Sequence, residues 1–203
     1  MEGMDKKAIC IGIDEVGRGP IAGPVCVGAF MWKGSPVRNF PKGLLLRDSK
    51  KLSEKQREKW FDLVLGWKSE DKCNFAVSYV EAKEIDEIGI APAVSKALNN
   101  SLHALTRDTT AAILLDGGLK APAEFVRQKT IIKGDEKESI ISLASIVAKV
   151  SRDNLMKKYS KTYPEYGFHL HKGYGTKAHY DAIKKYGLTP LHRASFLGQH
   201  KRL

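Results

Sequence analysis

Two adjacent carboxylates, Asp14 and Glu15, close the apolar run Ala8-Ile9-Cys10-Ile11-Gly12-Ile13, and Val16-Gly17-Arg18-Gly19-Pro20 follows at once. Adjacent ionised carboxylates repel each other. They are tolerated where a divalent cation lies between them, where one keeps its proton, or where both face water. The glycines around Arg18 let backbone N–H groups approach a ligand, and the guanidinium offers a fork matched to phosphate. Two further acids stand in similar places: Asp116 just past the apolar run 111–115, and Asp135 within Lys133-Gly134-Asp135. Four carboxylates without an obvious His or Cys partner make a hard oxygen site, suited to Mg2+ or Mn2+ and not to zinc. Two such ions about 4 Å apart clamp a phosphodiester, one activating the attacking water and the other stabilising the leaving oxygen. For any one of these acids alone, a turn or helix cap is the default reading.

The elements that must position them follow from periodicity. Residues 8–13 and 25–31 read as neighbouring buried strands, 74–80 as a third, 111–115 as a fourth, and 130–132 as a short fifth. Helices are predicted over 54–65, capped by Ser53, over 92–107, from about 138 to a stop at Pro164 and Gly167, and over 176–186. Residues 32–53 read as a loop containing Gly34, Pro36, Pro41 and Gly43. Three strands followed by helix, strand and helix favour a mixed α/β sheet over a uniform doubly wound one. In such sheets strand ends converge on one crevice, which is where the four acids are expected to meet. The length of 203 residues suits one main domain, with residues after about 160 as a helical appendage.

Other motifs compete less well. Gly17-Arg18-Gly19-Pro20-Ile21-Ala22 fits the dinucleotide pattern G-x-G-x-x-[GA]. The acids before it would repel a pyrophosphate, however, and Gly23-Pro24 with a β-branched run replaces the required helix. His169, His171 and His179 fit no zinc spacing and read as surface histidines of a basic loop. Lys172-Gly173-Tyr174-Gly175-Thr176 is more informative, because Tyr174 between glycines either stacks on a nucleotide or anchors the loop to the core. Cys10, Cys26 and Cys73 are scattered and read as small buried hydrophobes, with neither a disulfide framework nor a zinc cluster indicated.

Charge is uneven along the chain. Residues 149–203 hold 12 Lys and Arg against 3 Asp and Glu, so most of the net charge of +11 lies there, together with six of the seven tyrosines. Basic side chains interleaved with aromatics suit a surface that follows a sugar-phosphate backbone; a solvated basic helix pair with tyrosines beneath it reads equally well. No run approaches the roughly 18 apolar residues of a membrane span, and no signal peptide is apparent, so a cytoplasmic protein without membrane contact is expected.

The stretch Gly12-Ile13-Asp14-Glu15-Val16-Gly17-Arg18-Gly19-Pro20-Ile21-Ala22-Gly23-Pro24-Val25 resembles the signature of the type 2 ribonucleases H, specifically bacterial ribonuclease HII. The resemblance continues in order through Asp48-Ser49-Lys50-Lys51-Leu52-Ser53, Asp116-Gly117, Lys133-Gly134-Asp135, Ala144-Ser145-Ile146-Val147-Ala148-Lys149-Val150, Arg152-Asp153, His171-Lys172-Gly173-Tyr174-Gly175-Thr176 and His192-Arg193-Ala194-Ser195-Phe196. It implies an RNase H-like fold with a mixed five-stranded sheet flanked by helices. Residues 1–160 would form the catalytic domain and 161–203 a helical segment that clamps the substrate. It further implies Asp14, Glu15, Asp116 and Asp135 as catalytic residues holding two Mg2+ or Mn2+ ions. Gly17, Arg18 and Gly19 would read the ribose 2′-OH, Tyr174 would stack on the following deoxynucleotide's sugar, and Lys50 would contact phosphate. Asp153 matches a recurrent Arg-Asp pair that either touches metal or supports the site. The stretch 32–47 is somewhat long for the family, which leaves the aim of Lys50 open.

The implied reaction is hydrolysis of the RNA strand of RNA/DNA hybrids and cleavage 5′ to ribonucleotides embedded in DNA, leaving 3′-OH and 5′-phosphate ends. Two alternatives are a ribonuclease HIII-like hybrid nuclease, disfavoured by the Gly-Arg-Gly element and the lack of an extra N-terminal duplex-binding domain, and a non-catalytic nucleic-acid-binding protein, disfavoured by the presence of all four acids. A monomer is expected, with a replication clamp as a candidate partner through the C-terminal end.

Overall fold

The structure is a computed structural model that describes residues 9–33 and 52–198. Its five strands are β1 (Cys10–Val16), β2 (Val25–Trp32), β3 (Cys73–Val80), β4 (Ala112–Asp116) and β5 (Gln128–Ile131). They form one sheet in the order β3-β2-β1-β4-β5. The β1–β2 and β2–β3 pairs are antiparallel, while β4 runs parallel to β1, and β5 to β4. A short turn suffices to return β1 to β2, whereas the chain reaches β4, the parallel neighbour of β1, only after β2, β3 and three helices. These are α1 (Glu54–Ser69), α2 (Ala82–Ile88) and α3 (Ile90–Leu105). The mixed five-stranded sheet flanked by helices is therefore as expected.

Strand alternation sorts the core into two layers. Ile11 and Ile13 of β1, with Val25, Val27 and Ala29 of β2, face α3 through Ala93, Val94, Ala97, Leu98 and Leu102. The other face, with Phe30 and Cys73, is covered by Trp60 and Val64 of α1 and by Leu143, Ala144, Ile146 and Val147 of α5 (Ser139–Thr162). Helix α1 starts with the expected cap: the Ser53 hydroxyl accepts from the Gln56 N–H at 3.3 Å, and the Gln56 side chain accepts from the Ser53 N–H at 2.8 Å. It runs a turn beyond the predicted end, where Trp67 packs edge-on against Trp32 and Trp60.

The short elements lie outside the sequence expectations. Helix α2 and the one-turn helices α4 (Gly134–Lys137), α6 (Phe168–His171) and α8 (Ala194–Leu197) are too brief to show a hydrophobic period. After α5 come a 3-10 turn, Pro164–Tyr166, then α6, and α7 (Lys177–Tyr186), which Thr176 caps by accepting from the His179 N–H. Tyr166, Phe168 and Ala182 of this region form a third small core with Ala22 and Met156. Cys26 and Cys73 are buried free thiols and Cys10 is half-buried, consistent with their expected role as small hydrophobes. Among the described residues no helix is long and apolar enough to cross a membrane.

Candidate active site

Strand β1 does not stop before its acids, as the sequence suggested, but continues through them. Asp14 pairs with Gly28 of β2 and Glu15 with Val27. The parallel pairing of β1 with β4 ends at Ile13 and Leu115, one residue short of Asp14 and Asp116, so these acids border the point where the two strands stop bonding. Asp116 likewise belongs to β4 and not to the loop beyond it. Strand alternation sends the Asp14 side chain toward α5, and Glu15 the other way.

Helix α5 reaches Asp14 because the sheet beneath it is bare. A Cβ at Gly28 would lie 2.5 Å from the Ala144 carbonyl oxygen, so only glycine lets the helix backbone settle there. That brings the Ser145 side chain into hydrogen-bonding contact with Asp14, whose Oδ1 also accepts the Glu15 N–H at 2.8 Å. Asp116 Oδ1 accepts the Gly134 N–H at 2.6 Å. This ties the start of α4, where Asp135 is buried, to the end of β4.

The acids carry the electrostatic signature of a site built against its own charge. Burial, then repulsion from Glu15 and Asp116, holds the Asp14 carboxyl well above the usual carboxylate range, although the Ser145 bond works the other way. Glu15 is also raised, chiefly by burial and further by Asp116, while Arg18 at 3.5 Å opposes the shift. The second carboxylate oxygen of Glu15 is buried without a hydrogen-bond partner among the described residues.

The turn from Gly17 to Pro24 is held from behind by two buried arginines. Arg193 donates to the carbonyls of Gly23, Arg18 and Gly17 at 2.9, 3.0 and 2.7 Å. Arg152 donates to Pro24, Lys172 and Ala22 at 2.9, 2.9 and 3.3 Å. Gly17 sits at φ +88°, and a Cβ there would fall 2.3 Å from Arg152 Nε. Six carbonyls thus replace the water that two guanidiniums lose, and the turn's oxygens are turned inward onto them. Burial pulls both arginine pKa values downward.

A cleft of about 400 Å³ brings the parts together. Asp14, Glu15 and Asp116 line it with the backbone of residues 16–19, and Arg57, Ser145, Lys149 and Tyr174 complete the wall. Tyr174 is 46% exposed, so the structure has it at the cleft and not as a core anchor. Asp135 and Asp153 are not on the wall. Asp153 instead accepts from Lys149 Nζ at 2.8 Å, one helical turn below the cleft. Lys50 lies outside the described residues.

The histidines correct the sequence reading: His179 is fully buried, its ring stacks on His171 with centroids 4.3 Å apart, and its Nε2 meets Nε2 of the buried His192 at 3.1 Å. A packed cluster holds His171 and His179, whereas His169 is exposed as expected.

Ser145, Lys149, Arg152 and Arg193 carried no assigned role in the sequence reading. The first three, with Ser142, fall on one polar stripe at positions i, i+3, i+7 and i+10 of α5, and that stripe was the available signal. Nothing local marks Arg193.

The donor set fits a divalent cation. Its oxygens are hard, two of its carboxyls resist ionising without a positive partner, and one oxygen of Glu15 is buried without a hydrogen-bond partner among the described residues. Among the described residues no three His, Cys, Asp or Glu side chains converge closely enough to enclose an ion unaided. Mg2+ does not need such a cage, since it binds through one or two carboxylates and fills its remaining positions with water and phosphate.

Residues 11–199 match the family model for ribonuclease HII. The ribonuclease HII of Clostridioides difficile strain 630 is 43% identical over 197 residues, spanning 97% of this chain and 73% of that protein. That of Acetivibrio thermocellus is 45% identical over 185 residues, spanning 91% and 68%. Among solved structures, the ribonuclease HII of Archaeoglobus fulgidus in its complex with PCNA superposes with a TM-score of 0.71 at 22% identity, covering 91% of this chain and 93% of that one. The Mn2+ complex of Bst-RNase HIII gives 0.68 at 19% identity, covering 97% and 71%. At such identities the two superpositions speak for the fold alone.

Proposed function

Because the chain belongs to the ribonuclease HII family, and so to the metal-dependent endoribonucleases of the type 2 ribonuclease H class, we propose that it cuts RNA/DNA hybrids and also cleaves 5′ to single ribonucleotides embedded in duplex DNA. The observation that carries this reading is the cleft itself, where Asp14, Glu15 and Asp116 meet the Gly17-Arg18-Gly19 turn and an exposed tyrosine on one wall.

In this reading Asp14, Glu15, Asp116 and Asp135 hold two Mg2+ or Mn2+ ions. When bound, the ions supply an activated water and stabilise the leaving oxygen. Water oxygen attacks phosphorus and the bond to the upstream O3′ breaks, leaving a 3′-OH there and a 5′-phosphate on the ribonucleotide. Gly17, Arg18 and Gly19 meet the 2′-OH, the one group that separates RNA from DNA at a single position. With the carbonyls of Gly17 and Arg18 taken by Arg193, the turn is stiff before substrate arrives, which lowers the ordering cost of recognition. Tyr174 stacks on the sugar of the next deoxynucleotide, and Lys50, Lys149 and Arg57 contact phosphates. Asp153 positions Lys149 through their 2.8 Å ion pair.

The same reading makes residues 161–203 the segment that closes on the duplex and assigns the protein to ribonucleotide excision repair and primer removal, as a cytoplasmic monomer. The Archaeoglobus complex with PCNA motivates a replication clamp as partner, through the C-terminal end. Asp116→Asn tests the mechanism. Hydrolysis of a long hybrid should fall by about a thousandfold or more, as expected when a metal-holding acid is lost. Undiminished cleavage would refute the role of the carboxylates.

A further inference from the structure

The loop that carries Tyr174 is held by a chain of three histidines whose protons the hydrogen bonds fix. His192 Nδ1 accepts the Thr189 N–H at 2.9 Å, so a neutral His192 carries its proton on Nε2. That proton points at His179 Nε2, 3.1 Å away. His179 must then carry its own proton on Nδ1, and there the Tyr174 carbonyl accepts it at 2.9 Å. On the other side, His171 Nδ1 accepts the Gly173 N–H at 3.2 Å, and its Nε2–H donates to the Tyr166 carbonyl at 2.8 Å. The two imidazoles that grip the backbone at residues 173 and 174 stack on each other, while the Tyr174 ring stays exposed.

The segment 189–193 therefore holds both reading elements. His192 holds the Tyr174 loop through His179, and Arg193, the next residue, holds Gly17 and Arg18 by their carbonyls. Further main-chain bonds join the same pieces. Ile21 and Ala22 N–H groups donate to the Gly173 carbonyl, Gly23 N–H to Leu191 and Arg193 N–H to Ile21. The spacing between the Gly-Arg-Gly turn and the tyrosine is set by this segment.

We infer that His192 is a positioning residue for junction selectivity: acting through His179, it holds Tyr174 at the distance from the turn that a single ribonucleotide followed by DNA requires. This rests on the reading of Tyr174 given above, and on no property of the acids that cut. A long hybrid offers many registers and does not need that spacing, so the chain should matter less there.

The test compares kcat/KM on a duplex containing one ribonucleotide with kcat/KM on a long hybrid. His192→Asn keeps an acceptor for the Thr189 N–H but cannot reach His179. It should lower the single-ribonucleotide to hybrid ratio roughly three- to tenfold, the worth of one buried hydrogen bond. His192→Gln places an amide donor near the lost Nε2–H and should restore most of that ratio. In a Tyr174→Ala background, His192→Asn should leave the ratio where Tyr174→Ala alone puts it. Equal losses on both substrates, or losses that add to those of Tyr174→Ala, would overturn the inference. If Tyr174→Ala itself leaves the ratio unchanged, the reading of the tyrosine falls and this inference with it; if it lowers the ratio and His192→Asn does not, only the inference falls. Should the variants fail to fold, imidazole nitrogen shifts of the unsubstituted protein decide the point. Nδ1–H is expected for His179 and Nε2–H for His192, and the opposite tautomers would refute the chain.

Discussion

Replacing Asp14 with asparagine should make the protein more stable as it destroys its activity. The asparagine side chain keeps an oxygen for the Glu15 N–H, now accepted at 2.8 Å, and its amide can donate to the Ser145 hydroxyl. What the substitution removes is a charge that is almost wholly buried and repelled by Glu15 and Asp116, the causes that hold the Asp14 pKa high. Relief of a poorly compensated buried polar group is worth about 1–3 kcal/mol. For a chain of this size each kcal/mol moves Tm by about 2–4 °C, so a rise of roughly 2–12 °C is expected. The assay is thermal unfolding followed by circular dichroism, with chelator and again with millimolar Mg2+. The gap should be widest in chelator and should shrink in Mg2+, because only the unsubstituted site gains from binding the ion. Cleavage of a hybrid should fall at least about a thousandfold. A variant less stable than the parent in chelator would show that the acids are not mutually strained, and would refute the reasoning.

Two further outcomes follow from particular residues. Gly17→Ala puts a Cβ at φ +88° and 2.3 Å from Arg152 Nε, and Arg152 is pinned by three carbonyls, so a loss of about 2–4 kcal/mol should appear as a lower urea midpoint. A parent-like midpoint would mean that the turn has slack. Burial pushes His179 down from 6.5 to about 4, and His171 and His192 also downward, so between those values the unfolded chain binds protons that the native chain does not. Their contribution to stability is present above pH 6.5 and is lost as the pH falls toward 4. The native His179 ring should still be neutral by nuclear magnetic resonance at about pH 5.5, and an imidazolium signal there would contradict the packing.

The fold was legible where periodicity is long. Strands β2 and β3 and helices α1, α3, α5 and α7 all announce themselves through runs of eight residues or more. Boundaries near the site were less legible for a physical reason. Asp14, Glu15 and Asp116 lie inside strands, yet a carboxylate after an apolar run looks like its end. The sequence marked four acids near strand ends, and the cleft brings Asp14, Glu15 and Asp116 together. Asp135 lies in α4 off the cleft wall, next to Gly134, whose N–H bonds Asp116, a link that no spacing announces. Arg193 was not legible at all, since its partners lie far away in sequence and are backbone carbonyls, which every residue owns. His179 looked exposed because a basic, glycine-rich segment hides the ring packing of Phe168 and His171 around it.

The central claim is that one cleft both senses a ribose hydroxyl and cuts beside it. A duplex of DNA with one ribonucleotide, labelled at its 5′ end and incubated with the protein and Mg2+ or Mn2+, tests this most directly. The predicted result is a single cut on the 5′ side of the ribonucleotide, leaving an extendable 3′-OH and a 5′-phosphate, with nothing cut in chelator or in the all-DNA duplex. Cleavage on the 3′ side, a cyclic phosphate end, or no cut beside the ribonucleotide while long hybrids are digested would contradict it.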